Sequence, residues 1–143
     1  VTDDVRLWGQ LLTLHAHVEN RLAQALQRGH GLGLSEFRAL GFLAEAPEGE
    51  LRMQELAGRL GLNQSSVTRL VGRLDSAGLA RRDLCPDDKR GVYTVLNDEG
   101  RARYRSAQAT YEKVLTEALD EAAGRHPALR PLLTALRSSQ VRL

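Results

Sequence analysis

Cysteine is nearly missing from this chain: Cys85 is the only one in 143 residues. A lone thiol excludes an internal disulfide and any all-cysteine metal site, and it fits a reducing, cytoplasmic setting. Aromatic residues are scarce as well, at one Trp, three Tyr and two Phe, which argues against a large aromatic-lined enzyme cleft. No apolar run is long enough to form a membrane helix, and Asp3 and Asp4 stand where a secretory signal would carry basic residues, so neither a span nor a signal is expected. The four histidines, His15, His17, His30 and His126, are scattered without ligand spacing, so no metal and no other cofactor is expected. No Ser/His/Asp arrangement emerges from the spacing, and the glycine-rich GHGLG lies between helical segments with no strand before it, so it is not a phosphate cradle. An enzyme is therefore not the expected reading.

What remains is an ordinary globular composition, 42% apolar and 27% charged, in a chain long enough for one domain with helical extensions but not for two. The net charge is only +2, yet its distribution is uneven. Residues 1–50 hold four basic and seven acidic side chains, residues 51–90 eight and five, and residues 91–143 eight and six. The central block is thus the most basic, which suits a phosphate-binding face, although a solvated surface has the same look on charge alone.

Within that block, MQELAGRLGLNQSSVTRLVGRLDSAGL, from Met53 to Leu79, organises the rest. Leu56, Ala57 and Leu60 recur at helical spacing, Gly61 breaks the pattern, and Val67, Leu70, Val71 and Leu74 resume it. Asn63 is placed to cap the second helix, which starts near Gln64, with Ser65 and Ser66 exposed in its first turn. The spacing is that of a helix-turn-helix: small Ala57 at the close approach, glycine four later, apolar Val67 ten after the alanine. In such a unit Gln64, Ser65, Thr68 and Arg69 face base edges in a major groove, while Val67, Leu70 and Leu74 pack inward. No carboxylate follows on this helix until Asp75. A plain helical hairpin with a glycine turn is the bland alternative.

Upstream, Val5, Trp8, Leu11, Leu12, His15, Val18, Leu22, Ala25 and Leu26 mark one long amphipathic helix from Asp4 to about Gln27. Gly29, Gly31 and Gly33 forbid its continuation. Trp8 and His15 lie on the apolar stripe, where a packed core or interface role competes with walling a ligand pocket. The next helix, LSEFRALGFLAEAP, is expected to be capped by Ser35, to bury Phe37, Leu40 and Leu43 or Ala44, and to end at Pro47. Leu51 to Met53 is too short for more than a single β-bridge.

Downstream, Gly78 closes the second helix of the pair. ARRDLC and VYTVLN alternate around the turn PDDKRG, which predicts a β-hairpin with Lys89 and Arg90 at its tip. A hairpin directly after a helix-turn-helix is a wing that reaches phosphates or an adjacent minor groove; a plain structural ribbon is the alternative. Asn97 caps a second long helix from Asp98 to about Ala123, and Pro127 to about Gln140 forms a last one with Leu129, Leu132, Leu133 and Leu136 buried. These end helices carry more apolar surface than a small winged helix covers, and a symmetric dimer buries it. Two recognition helices would then address a pseudo-palindromic site of double-stranded DNA.

The order long helix, support helix, helix-turn-helix, wing, long helix, short helix resembles the MarR family of winged-helix transcriptional regulators over essentially the whole chain. The most specific part is MQELAGRLGLNQSSVTRLVGRLDSAGLARR followed by CPDDKRGVYTVLNDEGRAR, similar to the family's recognition helix and its wing signature at Asp88, Arg90, Leu96 and Gly100, with Asn97 in place of the usual threonine. The resemblance implies a mainly α (α+β) winged helix-turn-helix: 34–97 for DNA binding, 1–33 and 98–143 for dimerisation. It implies recognition by Asn63, Gln64, Ser65, Ser66, Thr68, Arg69 and Arg73. In the wing it implies Asp88 fixing the basic side chains, Lys89 reaching phosphates and Arg90 entering the minor groove. It further implies a homodimeric repressor released from DNA by a small phenolic or anionic effector, in a crevice near Trp8, His15, Phe37, Arg38 and Tyr104. Gly72, where the family's urate-responsive branch tends to carry a carboxylate, argues against urate. Cys85 stands at the end of the first wing strand and not near the start of the first helix, where the peroxide-sensing branch has its reactive thiol. A redox role for it would need Arg82 or Lys89 to lower its pKa. The competing reading is a winged helix used for protein contacts without base readout; the basic, carboxylate-free outer face argues the other way.

Overall fold

The computed structural model describes residues 1–84 and 91–139. Its first element, α1 (Asp3–His30), begins where Thr2 Oγ1 accepts the Val5 N–H at 3.3 Å and runs three residues past Gln27. Gly29 does not stop it. The stop comes at Gly31, whose φ of 63° lets the Gly31 and Leu32 N–H groups turn back to the Gln27 and Leu26 carbonyls, a left-handed exit that favours glycine.

Helix α2 (Leu34–Glu45) starts two residues earlier than Ser35 capping requires. Gly33 is its cap, and the Glu36 carboxylate accepts the Gly33 N–H at 3.4 Å, leaving Ser35 inside the first turn. Phe37, Leu40 and Leu43 are buried as expected, while Ala44 is only half-buried. A single 3-10 turn at Pro47–Gly49 follows, and the chain enters β1 (Glu50–Arg52), which is a short paired strand rather than a lone bridge.

The helix pair is α3 (Met53–Leu60) and α4 (Gln64–Ser76). Gly61, at φ 68°, turns the chain between them, and the Leu62 N–H reaches back to the Ala57 carbonyl at 3.0 Å. Val67, Leu70, Val71 and Leu74 are fully buried, so the inner face of α4 is the one its periodicity marks.

Strands β2 (Ala80–Leu84) and β3 (Val92–Leu96) are antiparallel, and β1 adds to the far side of β3, giving the order β1, β3, β2. The register sets Leu51 and Arg82 opposite Thr94 and Ala80 opposite Leu96. Thr94 is fully buried, and its hydroxyl donates to Met53 Sδ at 3.0 Å, which satisfies it where β3 meets α3.

Helix α5 (Asp98–Arg125) is capped by Asn97, whose Oδ1 accepts the Gly100 N–H at 2.8 Å while its Nδ2 donates to the Gly78 carbonyl at 2.7 Å. One side chain thus joins the exit of α4 to the start of α5. Gly100 is required there by packing, since a Cβ would collide with the Leu79 carbonyl oxygen and lie 2.7 Å from Leu96 Cδ1. After a 3-10 turn at Pro127–Leu129, α6 (Arg130–Ser138) closes the described chain. Leu129 and Leu133 are buried, but Leu132 is only half-buried and Leu136 is 57% exposed. Among the described residues nothing covers the outer side of α6 at Leu136.

Among the described residues the apolar interior falls into two clusters. The larger, built on α2, α3, α4 and the sheet, includes Phe37, Leu40, Leu56, Leu70, Leu74 and Leu96. The smaller joins α1 to α5 through Val18, Leu22, Val114 and Ala118, reinforced by Arg21 donating to both oxygens of Glu121 at 3.0 Å. The N-terminal part of the α1 stripe joins neither: Val5 is 60%, Trp8 63% and Leu12 52% exposed.

Candidate nucleic-acid interface

The start of α4 is built by its own side chains. Asn63 stays extended and its Oδ1 accepts both the Ser66 N–H and the Ser65 hydroxyl at 2.9 Å. This satisfies one orphan donor of the first turn and leaves the Asn63 amide N–H groups pointing outward as donors. Thr68 Oγ1 donates to the Gln64 carbonyl at 2.8 Å, which fixes its rotamer and leaves its lone pairs for an outside donor. Arg69 reaches Ser66 Oγ at 3.5 Å, and Arg73 reaches Glu36 at 3.4 Å with its side chain still 57% exposed. Asn63, Gln64, Ser65, Arg69 and Arg73 are exposed and Ser66 and Thr68 half-buried. The structure therefore strings the seven recognition candidates along the outer side of a single helix, from Asn63 at its cap to Arg73 in its last turn.

Chemically, this surface presents amide, hydroxyl and guanidinium groups on a rigid rod whose opposite side is locked in the core. Such a rod enters a major groove and offers donors and acceptors to base edges. The positive end of the helix dipole lies at Asn63, and no carboxylate sits in the first turn of α4.

Two side chains that sequence spacing did not single out complete this face. Arg82 on β2 donates from Nη2 to the Thr68 carbonyl at 3.3 Å, and Glu36 on α2 holds Arg73. The only sequence signal for the first is Gly72, whose lack of a side chain leaves the path open. The wing candidates Asp88, Lys89 and Arg90, and Cys85 with them, lie outside the described residues.

The five ligand candidates do not line one cavity. Trp8 and His15 border a recess of about 560 Å³ along α1 with Leu11, Leu12, Leu14, Val18 and Glu19. Phe37, Arg38 and Tyr104 border a separate recess of about 150 Å³ with Gly41, Phe42, Glu45 and Tyr111. Trp8 lies eleven residues before Glu19 on α1, about 16 Å along a helix. Between the recesses stands an ion pair that spacing could not show: Arg38 donates to the two Glu19 oxygens at 2.9 and 2.7 Å and also to Tyr111 Oη at 3.3 Å.

Arg38's hydrogen bond holds the Glu19 carboxyl below the usual range against the opposing effect of burial, and the same bond raises Arg38 further above its ordinary value. Phe37 stacks on Tyr111 at 4.7 Å and lies against Tyr104 at 5.0 Å. Burial, followed by the negative charge of Glu45, pushes the Tyr104 phenol up. The guanidinium beside this aromatic stack is thus already paired with the Glu19 carboxylate. Among the described residues there is no group of His, Cys, Asp and Glu that could hold a metal ion.

A sequence model of the MarR family matches residues 30–91. The homoprotocatechuate degradative operon repressor of Escherichia coli is 32% identical over 84 residues, which is 59% of this chain and 55% of that protein. The uncharacterized HTH-type transcriptional regulator YkoM of Bacillus subtilis is 35% identical over 71 residues, 50% of this chain and 45% of its own. The matched part spans about half the length of these curated relatives. Among solved structures, Sco3205, a MarR family transcriptional regulator of Streptomyces coelicolor in complex with DNA, superposes with a TM-score of 0.78 at 28% identity, covering 99% of this chain and 91% of that one.

Proposed function

Because the chain belongs to the MarR family, we propose that it is a sequence-specific regulator of transcription that binds double-stranded DNA as a homodimer, one α4 per half-site. Residues 34–97 carry DNA binding, and residues 1–33 and 98–143 carry dimerisation. Asn63, Gln64, Ser65, Ser66, Thr68, Arg69 and Arg73 make the contacts of α4, and Asp88, Lys89 and Arg90 those of the wing. The observation that carries this reading is the outer face of α4: seven polar or basic residues on one rigid surface, with every apolar residue of the helix buried beneath them.

The relatives named above are regulators rather than enzymes, and the outcome proposed here is repression, relieved by a small molecule. The effector proposed is phenolic or anionic: in the recess at Phe37, Arg38 and Tyr104 it would stack on the rings and compete with Glu19 for the Arg38 guanidinium. Among the described residues no helix is long and apolar enough to cross a membrane, in keeping with a protein that works on cytoplasmic DNA.

The test is selection of bound duplexes from a random-sequence library, followed by fluorescence anisotropy on the selected and a scrambled duplex at two salt concentrations. A pseudo-palindrome with half-sites about one helical turn apart, saturating at two subunits per site, is the expected result. Enrichment of no sequence, with equal binding to every duplex, would overturn it in favour of a winged helix used for protein contacts.

A further inference from the structure

Arg82 stands opposite Thr94 in the β2–β3 pair. Directly opposed residues share a face of the sheet, and Thr94 is fully buried, so Arg82 leaves β2 on the side that packs against the helices. Its guanidinium emerges at α4, where Nη2 meets the Thr68 carbonyl at 3.3 Å. Position 72 makes room for it: a Cβ on Gly72 would lie 3.4 Å from Arg82 Nη2.

One hydrogen bond leaves most of the five N–H donors of a guanidinium unused. Among the described residues no carboxylate pairs with Arg82, whereas Arg73 shares Glu36 and Arg81 lies 3.9 Å from Asp83. Arg69 and Arg73 flank the same glycine and, with Ser76 and Ala77, line an open recess on the surface of α4. Three guanidiniums therefore surround a helix face from which position 72 projects nothing, and two of the three have no carboxylate partner among the described residues. An oxygen-rich anion at the edge of the groove that α4 reads, a DNA phosphate, matches that chemistry.

We propose that Arg82 is a DNA phosphate contact, delivered by β2 onto the recognition helix between Thr68 and Gly72. This rests on the DNA-binding reading given above. As a phosphate contact Arg82 adds affinity for any sequence and contributes to the salt dependence, while base choice stays with the residues of α4.

The experiment measures anisotropy on selected and scrambled duplexes across a salt series for the full chain and three variants. Arg82→Gln keeps a donor for the Thr68 carbonyl but removes the charge, Arg82→Lys keeps the charge, and Gly72→Asp sets a carboxylate beside an untouched Arg82. The expected result is a log–log salt slope reduced by about 1.8 per dimer for Arg82→Gln, so that the loss of affinity between 50 and 200 mM salt is about tenfold smaller than for the parent. Gly72→Asp should reduce the slope in the same direction, Arg82→Lys should retain it, and the ratio of selected to scrambled binding should hold throughout.

A parental slope in Arg82→Gln, or a loss confined to the selected duplex, would overturn the proposal and leave Arg82 as a structural tie. Should Arg82→Gln melt below the assay temperature, Gly72→Asp decides by the same readout. If the parent binds no duplex, the DNA-binding reading falls and this inference with it, an outcome distinct from a parent that binds and a variant that does not differ.

Discussion

At the scale of single residues, two glycines show how differently one residue type is held. Gly100 sits in the first turn of α5 against the Leu79 carbonyl oxygen, and any side chain there meets backbone that cannot rotate away. Gly100→Ala is expected to cost about 2–3 kcal/mol by overpacking, seen as a lower midpoint in urea unfolding. Gly58 lies within α3 with nothing inside 4 Å of an added Cβ, so Gly58→Ala should stabilise by roughly 0.5–1 kcal/mol through helix propensity alone. A parental midpoint for both variants would show that neither position is constrained as described.

Residue-level features were legible from the chain when they depended on neighbours a few positions away. Asn63 as a cap, Gly61 as a turn and Asn97 as a cap are of this kind. Ser35 is the instructive failure: the Glu36 carboxylate serves the Gly33 N–H, so the helix starts two residues earlier than a serine cap allows. Arg82 and the Glu19–Arg38 pair were illegible because their partners are distant in the chain, and only the packed elements bring them together.

At the scale of elements, α1 and α2 are joined by that same Glu19–Arg38 pair, which also separates the two recesses. The carboxyl of Glu19 is held below its ordinary value chiefly by the hydrogen bond from Arg38. The unfolded chain therefore binds its proton more readily than the folded one. The stabilisation is complete above the ordinary glutamate pKa of about 4.3 and is lost as pH falls through the lower folded value. Glu19→Gln should accordingly be less stable than the parent near neutral pH, and the difference should shrink on acidification below about pH 4. Urea midpoints for both proteins across a pH series measure it. A difference constant with pH would show that the pair does not titrate as its geometry requires. Periodicity placed the six α-helices found among the described residues and the paired strands β2 and β3, but it had no means of choosing which parts of a long stripe meet another element. Leu136 and the start of α1 have the same periodic pattern as Leu133 and Leu22, yet among the described residues the latter two are buried and the former stay exposed.

At the scale of the whole molecule, that exposed surface carries the dimer argument. Val5, Trp8 and Leu12 fall on one side of α1 and Leu136 on α6, each more than half exposed. Apolar patches of this kind on a folded chain mark association surfaces. Trp8 is the sole tryptophan, so its fluorescence reports this surface without interference. Transfer of one large aromatic side chain into an interface is worth roughly 3 kcal/mol at about 25 cal/mol per Å². Emission should be blue-shifted at high protein concentration and move to the red on dilution, along the same curve as the weight-average mass from sedimentation. Leu12→Glu, which places a charge on the patch without touching the folded core, should keep the helical content of the parent. It should nonetheless emit in the red at every concentration and lose DNA affinity, because only a dimer engages both half-sites at once. If Leu12→Glu still sediments as a dimer with blue-shifted emission, the two protomers meet elsewhere, and the exposed start of α1 must be explained by a different partner.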